Sequence, residues 1–142
     1  MIVYCDTSAV MKVYATEQYS DWTEQHVKAA KPCIVSQITW VEMCAALSLK
    51  ARTHKMVHTE VAEAMVRLRT EWPYYSQIAV DDAIITAAGE LAQTFGLRAY
   101  DSLQLASAQR IFSQAGAAMA FCCFDRQLNL AASALGMAVL IP

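Results

Sequence analysis

An α/β sandwich around a short, mostly parallel sheet is the fold this sequence predicts. Short apolar, β-branched or aromatic runs alternate with longer stretches of helical period, the pattern of βα units feeding a parallel sheet. The length of 142 residues leaves room for one core, so residues 1–142 are expected to form a single domain. A hydrophobic share of 56% against 17% charged supplies that core without help from disulfides.

Residues 1–5 read as the first strand, and residues 8–14 as a short helix after the Asp6-Thr7 turn. Ser20 is placed to cap a helix over 21–30 that Pro32 stops. Residues 33–35 make a second strand, followed by a helix opened by Ser36 or Gln37 that runs to about Arg52. Val61, Ala64, Met65 and Leu68 repeat at helical spacing over 59–72, and Trp72-Pro73 ends that helix. These two helices are expected to form a hairpin. A third strand spans 76–80, and Asp81 or Asp82 caps a helix that stops at Phe95-Gly96. The next helix begins near Asp101 and ends at Gly116. Residues 118–124 suit a strand buried on both faces, a helix follows over 126–135 with Gly136 as its stop, and 137–141 close as the last strand.

Eleven basic and thirteen acidic residues leave a net charge of −2, too little for a DNA-coating protein or a disordered acidic tail. Cysteines at 5, 33, 44, 122 and 123 form no C-x-x-C pair and no metal-finger spacing, so they read as buried thiols of a reducing cytosol. The start MIVYCD lacks a basic leader region, and the uncharged stretches 111–124 and 127–142 are shorter than a membrane span. A cytoplasmic protein is therefore expected. The high apolar share suggests surface reserved for a partner or a second copy.

Four acids stand where a packed core does not ordinarily tolerate them. Asp6 follows IVYC and Asp125 follows FCCF, both at the carboxyl end of a strand, where open α/β sheets gather ligands. Asp101 and Asp125 are expected to open helices, and either alone reads as a plain N-cap. Glu42 lies within TWVEMCAAL, an apolar helix face where an acid is costly unless a cation meets it. Together they make an oxygen-rich site suited to Mg²⁺ or Mn²⁺. Zinc is disfavoured, because no histidine or cysteine is expected beside them. The chemistry implied is metal-assisted attack of water on a phosphodiester. Without the four acids the charge would change from −2 to +2, compatible with holding RNA.

The segments YCDTSAVMKVY with Glu17 beyond it, ITWVEMCAAL, GLRAYDSLQLASA and FCCFDRQLNLAASALGM resemble the four signature segments of PIN-domain ribonucleases, in particular the VapC-type toxins of toxin–antitoxin pairs. The resemblance spans nearly the whole chain in order and spacing. It implies a three-layer α/β/α fold, Mg²⁺- or Mn²⁺-dependent endoribonuclease activity, a homodimer, and inhibition by a cognate antitoxin protein. By the same resemblance Asp6, Glu42, Asp101 and Asp125 fall on the family's acidic cluster, and Ser8 on its small hydroxyl position.

Other features stay ambiguous at this level. Residues 50–58 gather three cations and two histidines, a patch able to grip phosphates, although a solvated connection is the simpler reading. Trp22, Trp40, Trp72, Tyr74 and Tyr75 could stack bases or floor a groove for an antitoxin helix, but large aromatics are more often core. A phosphoacceptor domain would need a second acid where Ser8 stands and a lysine late in the chain, and Lys55 is the last lysine. A non-catalytic module that only binds RNA or an antitoxin is the remaining alternative.

Overall fold

The computed structural model describes residues 1–142 and contains five strands and seven α-helices. In chain order they are β1 (Ile2–Cys5), α1 (Thr7–Tyr14), α2 (Ser20–Ala29), β2 (Cys33–Ser36), α3 (Ile38–Arg52), α4 (His58–Glu71), β3 (Ser76–Ile78), α5 (Asp82–Phe95), α6 (Ala99–Ala115), β4 (Met119–Cys122), α7 (Arg126–Ala134) and β5 (Ala138–Leu140). The sheet order is β3-β2-β1-β4-β5, and every pair is parallel.

Strand alternation explains the three layers. Successive side chains of a strand point to opposite faces. Tyr4, Ile34 and Phe121 therefore join one core with Ile84, Leu91, Leu105 and Leu128 from α5, α6 and α7. Val3, Cys5, Val35 and Cys122 join the other, with Val10, Met43, Leu47 and Leu68 from α1, α3 and α4. Every residue of β4 is buried, as its continuous apolar run requires. Tyr4 and Phe121 stack across the β1–β4 pair with ring centroids 5.8 Å apart.

The order of the strands also places the site. From the central β1 the chain steps outward to β2 and β3, then returns to the other side of β1 as β4 and β5. The reversal falls between β1 and β4, and in such sheets the crevice beyond the carboxyl ends at this point collects ligands. Cys5 and Cys122 are partners in that register, so Asp6 and the turn 123–125 leave the sheet side by side.

Several boundaries differ from the sequence expectation. Ser20 is not a cap: Tyr19 occupies that position in the left-handed region at φ 68°, while the Ser20 hydroxyl donates to the Ala15 carbonyl. The third and fourth strands end earlier than expected because 79–81 turn into α5 and 123–125 into α7. The expected helix start near Asp101 moves back to Ala99, with Arg98 as the cap, so Asp101 sits within the first turn. Helices α3 and α4 do pack as a hairpin, with Trp40 and Trp72 centroids 5.5 Å apart. Gly96 ends α5 in the left-handed conformation that glycine adopts at low cost. No helix is long and apolar enough to cross a membrane.

Candidate active site

Asp6 is the first residue beyond β1 and caps α1, its Oδ1 accepting from the Ala9 amide at 3.1 Å. It is only 4% exposed. Two further donors reach it: the Ser8 hydroxyl at 2.6 Å and the Cys123 thiol at 3.2 Å. These hydrogen bonds favour the carboxylate, but burial outweighs them and, with the charge of Glu42 nearby, pushes its pKa up to about 6. No lysine or arginine pairs with it. A buried carboxylate so placed is an under-compensated charge awaiting a cation.

Ser8 ties this corner together: while donating to Asp6 it accepts from the Phe124 amide at 2.9 Å, joining α1 to the β4–α7 turn. Asp125 caps α7 as expected, with Oδ1 accepting from the Leu128 amide at 2.8 Å. Its own amide points to the Cys123 sulfur at 3.2 Å. Cys123 thus touches Asp6 directly and the Asp125 backbone, which corrects the expectation that no cysteine adjoins the acids. Burial and the charge of Asp6 push this thiol up, so it stays a neutral donor at physiological pH and is no thiolate nucleophile.

Glu42, in the second turn of α3, is partly buried, and neutral donors meet it where a cation was expected. Oε1 accepts from the Thr7 hydroxyl at 2.8 Å and from Gln104 Nε2 at 2.9 Å. Gln104 itself is fully buried: Tyr4 donates to its Oε1 at 2.7 Å, and its amide also reaches Thr39 Oγ1 at 2.9 Å. This relay from the central strand to Glu42 is not evident from local sequence. Its one signal is the position of Gln104 three residues beyond Asp101, a polar residue on an otherwise apolar helix face. Asp101, in the first turn of α6, accepts from the exposed Arg98 at 3.1 Å.

The structure thus brings Asp6, Ser8 and Asp125 to one corner through Cys123, and Glu42 beside it through Thr7. Asp101, in the first turn of α6 and three residues before Gln104, is hydrogen-bonded to Arg98 and to none of the other three acids. No three acids, histidines or cysteines converge as a ready ligand cage. Of the basic segment, Lys50 is engaged by Glu17 at 3.2 Å and Arg52 by Ser48, while His54 and His58 are exposed.

A model of the PIN domain family matches residues 3–131. The chain belongs to the PIN domain family. Within it, Ribonuclease VapC45 of Mycobacterium tuberculosis (strain CDC 1551 / Oshkosh) is 30% identical over 138 residues, covering 97% of this chain and 94% of that protein. Ribonuclease VapC46 of Mycobacterium tuberculosis (strain ATCC 25618 / H37Rv) is 29% identical over 140 residues, covering 99% and 97%. Solved structures repeat the fold. FitAcB from Neisseria gonorrhoeae aligns with a TM-score of 0.71 at 14% identity, over 99% of this chain and 97% of that one. VapC20 of Mycobacterium tuberculosis, a Sarcin-Ricin loop cleaving toxin, aligns with a TM-score of 0.65 at 17% identity, over 99% of both chains.

PIN-domain VapC nucleases depend on a divalent cation. One donor of this PIN domain fits such a cation: the hard-oxygen carboxylate of Asp6 carries its charge in burial without a cationic partner, with the charge of Glu42 nearby. The one soft donor nearby, Cys123, holds its proton.

Proposed function

We propose that this chain is a metal-dependent endoribonuclease and the toxin of a toxin–antitoxin pair. The observation that carries the reading is Asp6, buried at the carboxyl end of the central strand, kept ionisable by three donors and uncompensated by any cation. Burying that charge costs more than its helix-capping bond requires, and a cationic ligand would offset the cost. The ribonuclease names of VapC45 and VapC46 support the activity. Structures of a toxin-antitoxin complex from Klebsiella pneumoniae and of VapBC2 from Rickettsia felis share the fold, with TM-scores of 0.60 and 0.59. They support a small antitoxin as partner.

In this reading Asp6, Glu42, Asp101 and Asp125 hold the cation, Mg²⁺ or Mn²⁺, as oxygen donors. When bound, the cation acidifies water and stabilises the leaving oxygen of a phosphodiester. The chain's own residues prepare that site. Ser8 and the Ala9 amide fix the Asp6 carboxylate, and the Cys123 thiol orients its second oxygen. Thr7 and Gln104 fix Glu42, so neither acid must be reoriented when RNA arrives. Arg98, mostly exposed, is paired with Asp101 through Nε and turns the rest of its guanidinium to solvent, where a phosphate can reach it. The whole chain acts as one nuclease domain, as a homodimer in the cytoplasm. Exposed Val41, Leu49, Ile85 and Tyr100 supply apolar surface for association, and all five cysteines are free thiols, in keeping with a reducing compartment.

Cleavage of RNA by the purified chain, with Mg²⁺ or Mn²⁺ and with excess chelator, tests the proposal. The products are expected to carry 5′-phosphate and 3′-hydroxyl ends, because no histidine stands at the acids to activate a ribose hydroxyl. Cyclic phosphate ends, or full activity in chelator, would falsify it.

A further inference from the structure

The donors already in place decide which oxygen of each acid is left for a ligand. A carboxylate oxygen has two lone-pair sites. On Glu42 both donors meet the same atom: the Thr7 hydroxyl at 2.8 Å and Gln104 Nε2 at 2.9 Å reach Oε1. Oε2 accepts from no group of the protein and touches solvent, because the one side-chain polar atom buried without a partner is Asn129 Oδ1.

Asp6 repeats the pattern. The Ser8 hydroxyl at 2.6 Å and the Ala9 amide at 3.1 Å fill its Oδ1, while Oδ2 takes the Cys123 thiol alone. Asp101 and Asp125 differ, with one donor each, Arg98 and the Leu128 amide, so neither has a filled oxygen. The restriction therefore falls on the two acids that Thr7 joins, one its neighbour in sequence and the other its hydrogen-bond partner.

The clamp on Glu42 is set from the interior. A carboxylate oxygen only accepts, so the Gln104 amide must turn Nε2 toward Glu42 and Oε1 away from it. The Tyr4 hydroxyl donates to that Oε1 at 2.7 Å, and Nε2 also donates to Thr39 at 2.9 Å. Tyr4, Thr39 and Gln104 are all buried, and inverting the amide would set its oxygen against the carboxylate. Glu42 Oε1 is thus saturated by donors whose hydrogens also repel a cation.

Saturation limits how an acid coordinates a metal. Glu42 has only Oε2 to give and Asp6 only Oδ2, so each binds through one atom. Ca²⁺ gathers about six to eight oxygens and takes carboxylates through both of theirs as well as singly, whereas Mg²⁺ holds a near-octahedral set and keeps several waters. We propose that Thr7 and Gln104 are positioning residues that confine Glu42 to a single metal-binding oxygen, and so bias the site against Ca²⁺ and toward Mg²⁺ or Mn²⁺. The inference rests on the metal-dependent reading of the acids, and it adds the residues that set which cation they accept.

The test reads metal binding without RNA. Electron paramagnetic resonance counts free Mn²⁺ over the full chain, and displacement by Mg²⁺ or Ca²⁺ gives the affinity of each. Thr7→Val and Gln104→Leu each return one lone pair to Oε1, and each is expected to raise the Ca²⁺ affinity relative to that for Mg²⁺ by roughly fivefold. Thr7→Ser keeps the hydroxyl and should stay within about twofold of the original ratio. The Thr7 pair carries the test alone if Gln104→Leu does not fold. Equal weakening of both cations in Thr7→Val would show that the hydroxyl only holds the side chain in place, and it overturns the proposal. A ratio that is unchanged or moves toward Mg²⁺ overturns it too. In those cases Mn²⁺-dependent cleavage of RNA by the unsubstituted chain leaves the ribonuclease reading standing, whereas a chain that neither binds Mn²⁺ nor cleaves RNA removes both.

Discussion

Asp6 and Asp81 perform the same local task at opposite extremes of environment. Each caps a helix by accepting from the amide three residues on, Ala9 at 3.1 Å and Ile84 at 2.9 Å. Asp81 is exposed and held by both guanidinium nitrogens of Arg110, at 2.8 and 2.9 Å, and that partner first of all draws its pKa down to about 2. Asp6 is buried without a cation and is pushed up to about 6. One acid serves the fold, and the other is retained against it. Helix capping explains both positions, so it cannot distinguish them. The missing counter-charge does.

The largest expected effect is on catalysis. Asp6→Asn and Asp101→Asn should each lower RNA cleavage by roughly a thousandfold or more, the loss of one charged ligand from the transition state. Asp81→Asn should leave the initial rate within about twofold. Initial rates on one RNA at saturating Mg²⁺ check all three, and an Asp81→Asn chain as impaired as Asp6→Asn would erase the contrast.

Stability should move in opposite directions with pH. The folded-state pKa of Asp6 lies above its unfolded value near 4, so the folded chain binds the extra proton between about pH 4 and 6. Its contribution is therefore most favourable below pH 4 and is lost as pH rises through 6. Above that window, in chelator, Asp6→Asn should stabilise the chain by up to about 2–3 kcal/mol, because asparagine still caps α1 without the buried charge. For Asp81 the folded value is depressed, so its stabilisation is present above pH 4 and lost as pH falls toward 2. Urea unfolding of the two variants across pH 2–8 measures both slopes.

Interior polar contacts give the next effect. Gln104→Leu leaves the buried Tyr4 hydroxyl without its acceptor, takes one of two donors from Thr39, whose other is Thr7, and frees Glu42 from one of its two donors. A loss of about 1–3 kcal/mol is expected in denaturant unfolding, together with a fall in kcat that Asp81→Asn does not show. The smallest effect belongs to Arg98→Ala, which removes an ion pair whose guanidinium is 83% exposed. Unfolding should register less than about 1 kcal/mol, and any larger change in RNA affinity would assign Arg98 to phosphate.

Periodicity and end signals determined most of the architecture by themselves. Apolar runs such as IVYC and MAFC can satisfy their burial only as interior strands, and Gly96, Pro32 and Asp125 terminate or cap elements through backbone chemistry that acts within a few residues. Asp6, Glu42, Asp101 and Asp125 were legible as candidates for the same reason: a charge inside an apolar context is visible locally. Only the tertiary structure decided what each of them meets. The Cys123 thiol lies 117 residues from Asp6, and Gln104 lies 62 from Glu42 and 100 from Tyr4. Burial, dielectric and hydrogen-bond satisfaction are properties of a packed neighbourhood, and residues so far apart in the chain share one only after the sheet has formed.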